Sequence, residues 1–155
     1  MRRLALALIL LSLAALPALA QPGTPVTSGQ ASFTYGTTGV AFDKASGSIM
    51  ASAGFVVATV TFARSDKPRG DHLTISVMVK GPGAVDLNQP MGNGIGYWTG
   101  GKILQYEKGK SQCTLTVAKI SGTQIEGTAN CPVIHEMNAG PAGALTNVTF
   151  SATTK

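Results

Sequence analysis

The only two cysteines of the chain, Cys113 and Cys131, stand at the two ends of one segment, 113–131. If the chain turns at Gly122, midway between them, the two cysteines lie directly opposite each other in an antiparallel hairpin. Opposed residues bring their Cβ atoms to about 4.5–5.5 Å, close enough for a disulfide after a small adjustment. A zinc site would need more ligands, and a thioredoxin-type site would need Cys-x-x-Cys. The spacing therefore predicts a structural disulfide.

The same register sorts the hairpin into two chemically different faces, as a half-buried strand pair requires. The apolar face carries Cys113, Leu115, Val117, Ile125, Ala129 and Cys131. The polar face carries Thr114, Thr116, Glu126, Thr128 and Asn130. Lys119, beside the turn, is the one residue that does not fit this pattern. Closing a loop of this size stabilises the fold by roughly 3 kcal/mol in the chain-entropy model.

The N-terminal segment has the three parts of a secretory leader. Arg2 and Arg3 precede an apolar run, residues 4–16, and Ala18-Leu19-Ala20 follows Pro17. This pattern predicts a signal peptide over residues 1–20, cleaved between Ala20 and Gln21. The apolar run is too short to favour a membrane anchor, and no cysteine lies near the cut for lipid attachment. We therefore expect a periplasmic or secreted protein with no stable membrane anchor.

Composition limits the kinds of partner and the fold classes that the chain can have. Without Arg2 and Arg3 the chain has ten basic and seven acidic residues, a net charge of +3. This small and scattered excess argues against nucleic acid as a partner. All 19 glycines lie beyond the leader. Frequent glycine, threonine and valine without long amphipathic stretches favour many short strands joined by tight turns.

Apolar and polar residues alternate with period two along most of the chain. Residues 21–30 are rich in Pro, Gly, Ser and Thr and predict a flexible lead-in, followed by one β domain over 31–155. The clearest strands are 55–63 and 72–80, and the charged segment 64–71 between them predicts a turn. About eight or nine strands indicate an all-β antiparallel β-sandwich, with a closed or partly open β-barrel as the alternative.

The C-terminal half, roughly residues 95–152, also resembles a known group of proteins. C-x-L-x-V, a turn, I-x-G-x-x-x-C and a final V-T-F-S-A strand are similar to a pattern in small exported bacterial β-sandwich proteins, including uncharacterised secreted and lipoprotein-like domains. The resemblance implies a β-sandwich in a bacterial envelope and no catalytic residues. The chain lacks the lipid-attachment cysteine of the lipoprotein members.

No motif in the sequence assigns a catalytic residue or a cofactor. The segment from Gly96 to Lys102 fits G-x-x-x-x-G-K, but Ile103 stands where a P-loop needs Ser or Thr. The carboxylates are spread singly, so no acid–base pair is evident. His72 and His135 are the only histidines. A metal-binding protein or enzyme that uses both of them is the first alternative function.

An aromatic pair beside a glycine-rich turn is the best candidate for a binding surface. Tyr97 and Trp98 point to opposite faces of a strand, so one of them is expected in the core and the other outside. Together with Lys102 they define a possible binding surface. The sequence thus predicts a non-enzymatic exported protein that binds or scaffolds, with an envelope protein, a glycan or a small ligand as partner. A carrier of a small apolar ligand is the second alternative.

Overall fold

The computed structural model of the chain describes residues 23–89 and 92–155. The predicted signal peptide, with its cleavage between Ala20 and Gln21, lies outside the described residues. Eleven strands follow one another: β1 (Thr24–Tyr35), β2 (Thr38–Phe42), β3 (Lys44–Ser52), β4 (Phe55–Arg64), β5 (Lys67–Val79), β6 (Gly83–Ala84), β7 (Gly94–Thr99), β8 (Lys102–Gln105), β9 (Gln112–Ile120), β10 (Gln124–Glu136) and β11 (Gly140–Thr154). Over the described ranges, no helix is long and apolar enough to cross a membrane.

The strands form where the sequence alternates between apolar and hydroxyl side chains. On β4, for example, Val60 and Phe62 are buried, and the intervening Thr61 points to the outer face. Its hydroxyl lies 3.0 Å from that of Thr74 on the neighbouring β5. On these two strands one face is buried and the other carries hydrogen-bonding side chains, which is the pattern of a half-buried antiparallel sheet. The predicted all-β antiparallel class is confirmed.

The pairings build two layers that share their corner strands. One layer has the order β2-β1-β11-β10-β9-β6, and the other has the order β3-β4-β5-β7-β8. At one corner β1 pairs with β3 through only Thr24 and Pro25. At the other corner β10 pairs with β8 through only His135 and Glu136. Long strands that pass from one layer to the other at bulges are a feature of β-sandwiches, so this arrangement fits the predicted sandwich.

Aromatic rings from both layers meet in the core. Phe33 of β1 lies against Tyr97 of β7, with the ring centroids 4.9 Å apart and an edge-to-face geometry. Phe62 of β4 and Phe150 of β11 approach to 6.3 Å. Such pairs contribute roughly 0.5–1.5 kcal/mol beyond the area they bury. The interior between the layers is thus occupied by side chains of the protein itself.

Two predictions about element boundaries are wrong. Residues 24–30 of the predicted lead-in belong to β1, which begins at Thr24 and pairs with β11 from Val26 onward. Only Val26 is buried before Ala31, and a bulge between Val26 and Ser28 breaks the alternation that would have revealed the strand. The described residues form eleven strands rather than eight or nine. The two residues of β6 are too few to produce any alternation.

The hairpin of β9 and β10, hereafter the stapled hairpin, has the predicted disulfide between Cys113 and Cys131, whose Cα atoms are 4.0 Å apart. Leu115 pairs with Ala129, as expected for a turn at Gly122. Nearer the turn the register shifts by one residue, and Lys119 pairs with Glu126. This bulge turns Lys119 to the outer face, where its Nζ lies 3.1 Å from the Glu126 carboxylate. The one misfit of the sequence pattern is thereby explained.

Candidate functional site

The predicted Thr-Gly-Gly-Lys turn joins β7 and β8 into a second hairpin, hereafter the aromatic hairpin. Its two loop residues, Gly100 and Gly101, have φ angles of 54° and 81°. Two consecutive residues with positive φ are typical of the tight hairpin loop whose twist matches the flanking strands, and glycine adopts them without steric cost. The turn therefore holds the ends of β7 and β8 close together.

The two neighbouring aromatics of this hairpin point to opposite faces of the sheet, as the sequence predicted. Tyr97 is only 2% exposed and contacts the rings of Phe33, Tyr35 and Phe42. Burial raises the pKa of its phenol, and its hydroxyl lies 3.4 Å from the Asp71 carboxylate. Of the predicted binding residues, Tyr97 thus belongs to the core and supports the site from beneath.

Trp98 lies on the outer face and is held in one orientation by two neighbours. A Cβ atom at Gly96 would lie 2.9 Å from an indole carbon, so the absence of a side chain there makes room for the ring. Trp98 is also the cross-strand partner of His72, and the two rings stack with centroids 4.7 Å apart and 12° between their planes. A half-buried indole is therefore fixed at the surface rather than free to rotate.

The strand that carries His72 bulges just before it. The pairing of β4 with β5 passes from Arg64–Lys67 directly to Ala63–His72, so residues 68–71 have no partner on β4. The charged turn predicted for 64–71 is therefore shorter than expected, and most of it is this bulge. The His72 Nδ1 lies 3.2 Å from the Gly70 carbonyl oxygen, which can only accept. In this contact the imidazole donates and ties the bulge to the aromatic stack.

The bulge and the aromatic hairpin together border an open, shallow cleft of about 420 Å³, hereafter the aromatic cleft. It is lined by Arg69, Gly70, Asp71, His72, Trp98, Thr99, Gly100, Gly101, Lys102 and Ile103. The Lys102 Nζ lies 2.9 Å from the Glu136 carboxylate, and this hydrogen bond raises the lysine pKa. One site is thus lined by Trp98, Lys102 and His72. The sequence had predicted a binding surface for the first two and a metal site as the alternative for the third.

The second histidine lies elsewhere. His135 is on β10, which is separated from the β5 strand of His72 by β7 and β8. Three strand spacings put the two backbones roughly 14 Å apart. His135 is buried, and its Nδ1 lies 3.8 Å from the Glu107 carboxylate, in a different cleft. Among the described residues no three His, Cys, Asp or Glu side chains gather as a metal site would require.

The sequence analysis missed two residues of the aromatic cleft, Arg69 and Asp71, because they were assigned to a turn. Their proximity to Trp98 depends on the pairing of β5 with β7, which joins residues 26 positions apart. The signal that could have located them is their position immediately before His72, at the start of the clearest predicted strand. A second cleft of about 420 Å³ involves β1, β2, β9, β10 and β11, and hydroxyl side chains such as Ser32 and Thr149 share its lining with apolar ones such as Phe42 and Phe150.

Comparison with known proteins identifies no relative of the chain. It matches no protein-family model, no curated protein and no solved structure. The resemblance to small exported bacterial β-sandwich proteins therefore remains a prediction, and the function is argued from the cleft alone.

Proposed function

We propose that the protein is an exported, non-enzymatic binding module that recognises a glycan at the aromatic cleft. The single observation that carries this proposal is the fixed indole of Trp98, stacked on His72 beside a cleft lined by Arg69, Asp71 and Lys102. Aromatic faces pack on the apolar faces of sugar rings, and charged side chains exchange hydrogen bonds with sugar hydroxyls. A ring fixed before binding loses little conformational entropy when the ligand arrives.

Export is supported by the leader and by the disulfide, since such bonds persist in oxidising compartments. The test is N-terminal sequencing of the protein recovered from the periplasm or the medium, which should begin at Gln21. Recovery of the intact leader on a membrane-bound form would contradict export.

Binding can be followed through Trp98, the only tryptophan of the chain. A glycan that occupies the cleft should change its fluorescence, and calorimetry should show the affinity falling at least about tenfold in Trp98→Ala, equivalent to 1.4 kcal/mol. His135→Ala, outside the cleft, is the matched control and should bind normally. Normal binding by Trp98→Ala would contradict the proposal. If metal content and function are lost only when His72 and His135 are both replaced, the metal alternative applies instead.

A further inference from the structure

The charged side chains of the aromatic cleft differ in whether they already have a partner within the protein. Lys102 is paired with Glu136, and Asp71 is positioned to accept the hydroxyl of Tyr97. Arg69, by contrast, has no ion pair with any described residue, although Asp66 and Asp71 lie within three positions of it in the sequence. The guanidinium therefore keeps its donors free for a ligand.

The backbone at Arg69 is also held in position by its neighbours in the bulge, and it does not belong to a flexible loop. It stands in the middle of the bulge 68–71, between Pro68, which fixes its own φ, and Gly70, whose carbonyl is bonded to His72. The same His72 ring stacks on Trp98. The cation and the aromatic surface are thus connected through one side chain and are presented together on the same cleft.

On this basis we propose that the ligand is a sugar carrying a carboxylate, an inference that rests on the proposed function. The planar guanidinium fork matches a carboxylate with two parallel hydrogen bonds, while Trp98 receives the sugar ring. Asp71 in the same lining repels a doubly charged phosphate more strongly than a singly charged carboxylate, because Coulomb repulsion grows with charge. The Asp71 carboxylate oxygen that does not contact Tyr97 can accept hydroxyl hydrogens of the sugar. The cleft therefore selects one negative charge together with several hydroxyls.

The test compares methyl glucuronide with methyl glucoside, two sugars that differ only in the carboxylate. Calorimetry or Trp98 fluorescence at low ionic strength should show the glucuronide binding about tenfold more tightly, and added salt should reduce the difference. Arg69→Gln should abolish the preference, so that the two sugars bind with equal affinity. Arg64→Gln is the matched control, since Arg64 is paired with Asp66 and lies outside the cleft lining, and it should retain the preference.

Each of the remaining outcomes would contradict a stated part of the proposal. Equal affinity for the two sugars, or a preference that survives in Arg69→Gln, would overturn the carboxylate inference and leave glycan binding intact. Acetate binding as tightly as the glucuronide would overturn the sugar part of the inference. Binding of neither sugar would overturn both the inference and the proposed function.

Discussion

The stapled hairpin and the aromatic hairpin are both two-stranded units of the same sheet, yet they treat their outer faces in opposite ways. In the stapled hairpin the outer charges, Lys119 and Glu126, neutralise each other, and a covalent bond closes the strands. In the aromatic hairpin the outer face presents Trp98 and opens onto a cleft. No disulfide closes this second hairpin, which is held by the pairing of β7 with β5 and of β8 with β10 and by the packing of Tyr97. Under the proposed function, the stapled hairpin has a structural role and the aromatic hairpin a binding role.

The comparison is sharpest at Tyr97 and Trp98, which are adjacent in sequence and opposite in role. Tyr97→Ala should lower the free energy of unfolding by about 3–5 kcal/mol, because it leaves a cavity among the core rings. Trp98→Ala should cost no more than about 2 kcal/mol, since the indole is only half-buried. Tyr97→Phe, the control, keeps the ring and should change stability by less than about 1 kcal/mol. Urea denaturation measures all three, and equal losses for the two alanine variants would contradict the assignment of faces.

The disulfide is expected to have the next largest effect. Replacing Cys113 and Cys131 together by Ala should leave the fold intact and lower stability by about 2–4 kcal/mol, because the unfolded chain regains the freedom of a closed loop. Circular dichroism and chemical denaturation provide the measurement, and a thiol assay of the native protein should find no free thiol. Two reactive thiols in the unreduced protein would show that the hairpin, like its aromatic counterpart, is held without a covalent bond.

A glycine on the inner face of the stapled hairpin and one on the outer face of the aromatic hairpin should respond differently to an added methyl group. A Cβ atom at Gly127 of the stapled hairpin would lie 2.6 Å from the Phe150 ring and would also clash with the Thr116 carbonyl. Gly127→Ala should therefore destabilise by about 1–3 kcal/mol. Gly94→Ala in the aromatic hairpin meets no atom within 4 Å and should change stability by less than about 0.5 kcal/mol. Thermal unfolding of the two variants side by side tests the difference, and a tolerated Gly127→Ala would mean that the layers are less closely packed there.

The features that could be predicted from the sequence are those that depend on residues close together in the chain. The alternation on β4 and β5, the register of Leu115 with Ala129 and the Gly100–Gly101 turn follow from period and turn chemistry within a few residues. The opposite faces of Tyr97 and Trp98 follow from the same period. Because these rules are local, they hold whatever the rest of the chain does.

The remainder of the site depends on how distant strands align. That His72 stacks on Trp98 is decided by the register of β5 against β7, and that Arg69 joins them is decided by a bulge with no local signature. The shift that turns Lys119 outward is of the same kind. The one-residue shift near Lys119 reverses the face of the later side chains on its strand, and the longer bulge 68–71 removes Arg69 from the pairing, so period alone anticipates neither.

The smallest expected effect tests that bulge directly. Because Lys119 and Glu126 are both exposed, with 63% and 39% of their side-chain surfaces accessible, Lys119→Ala should cost no more than about 0.5 kcal/mol. The loss should shrink further in high salt, which screens the pair. Lys44→Ala, which removes an exposed lysine with no ion pair to a described residue, controls for the change in net charge.

Lys119→Leu distinguishes the two possible faces. If the residue points outward, as the bulge requires, the leucine gains nothing from burial and leaves stability within about 0.5 kcal/mol. A gain above about 1 kcal/mol in chemical denaturation would place position 119 on the apolar face, and the uninterrupted register would then extend to the turn.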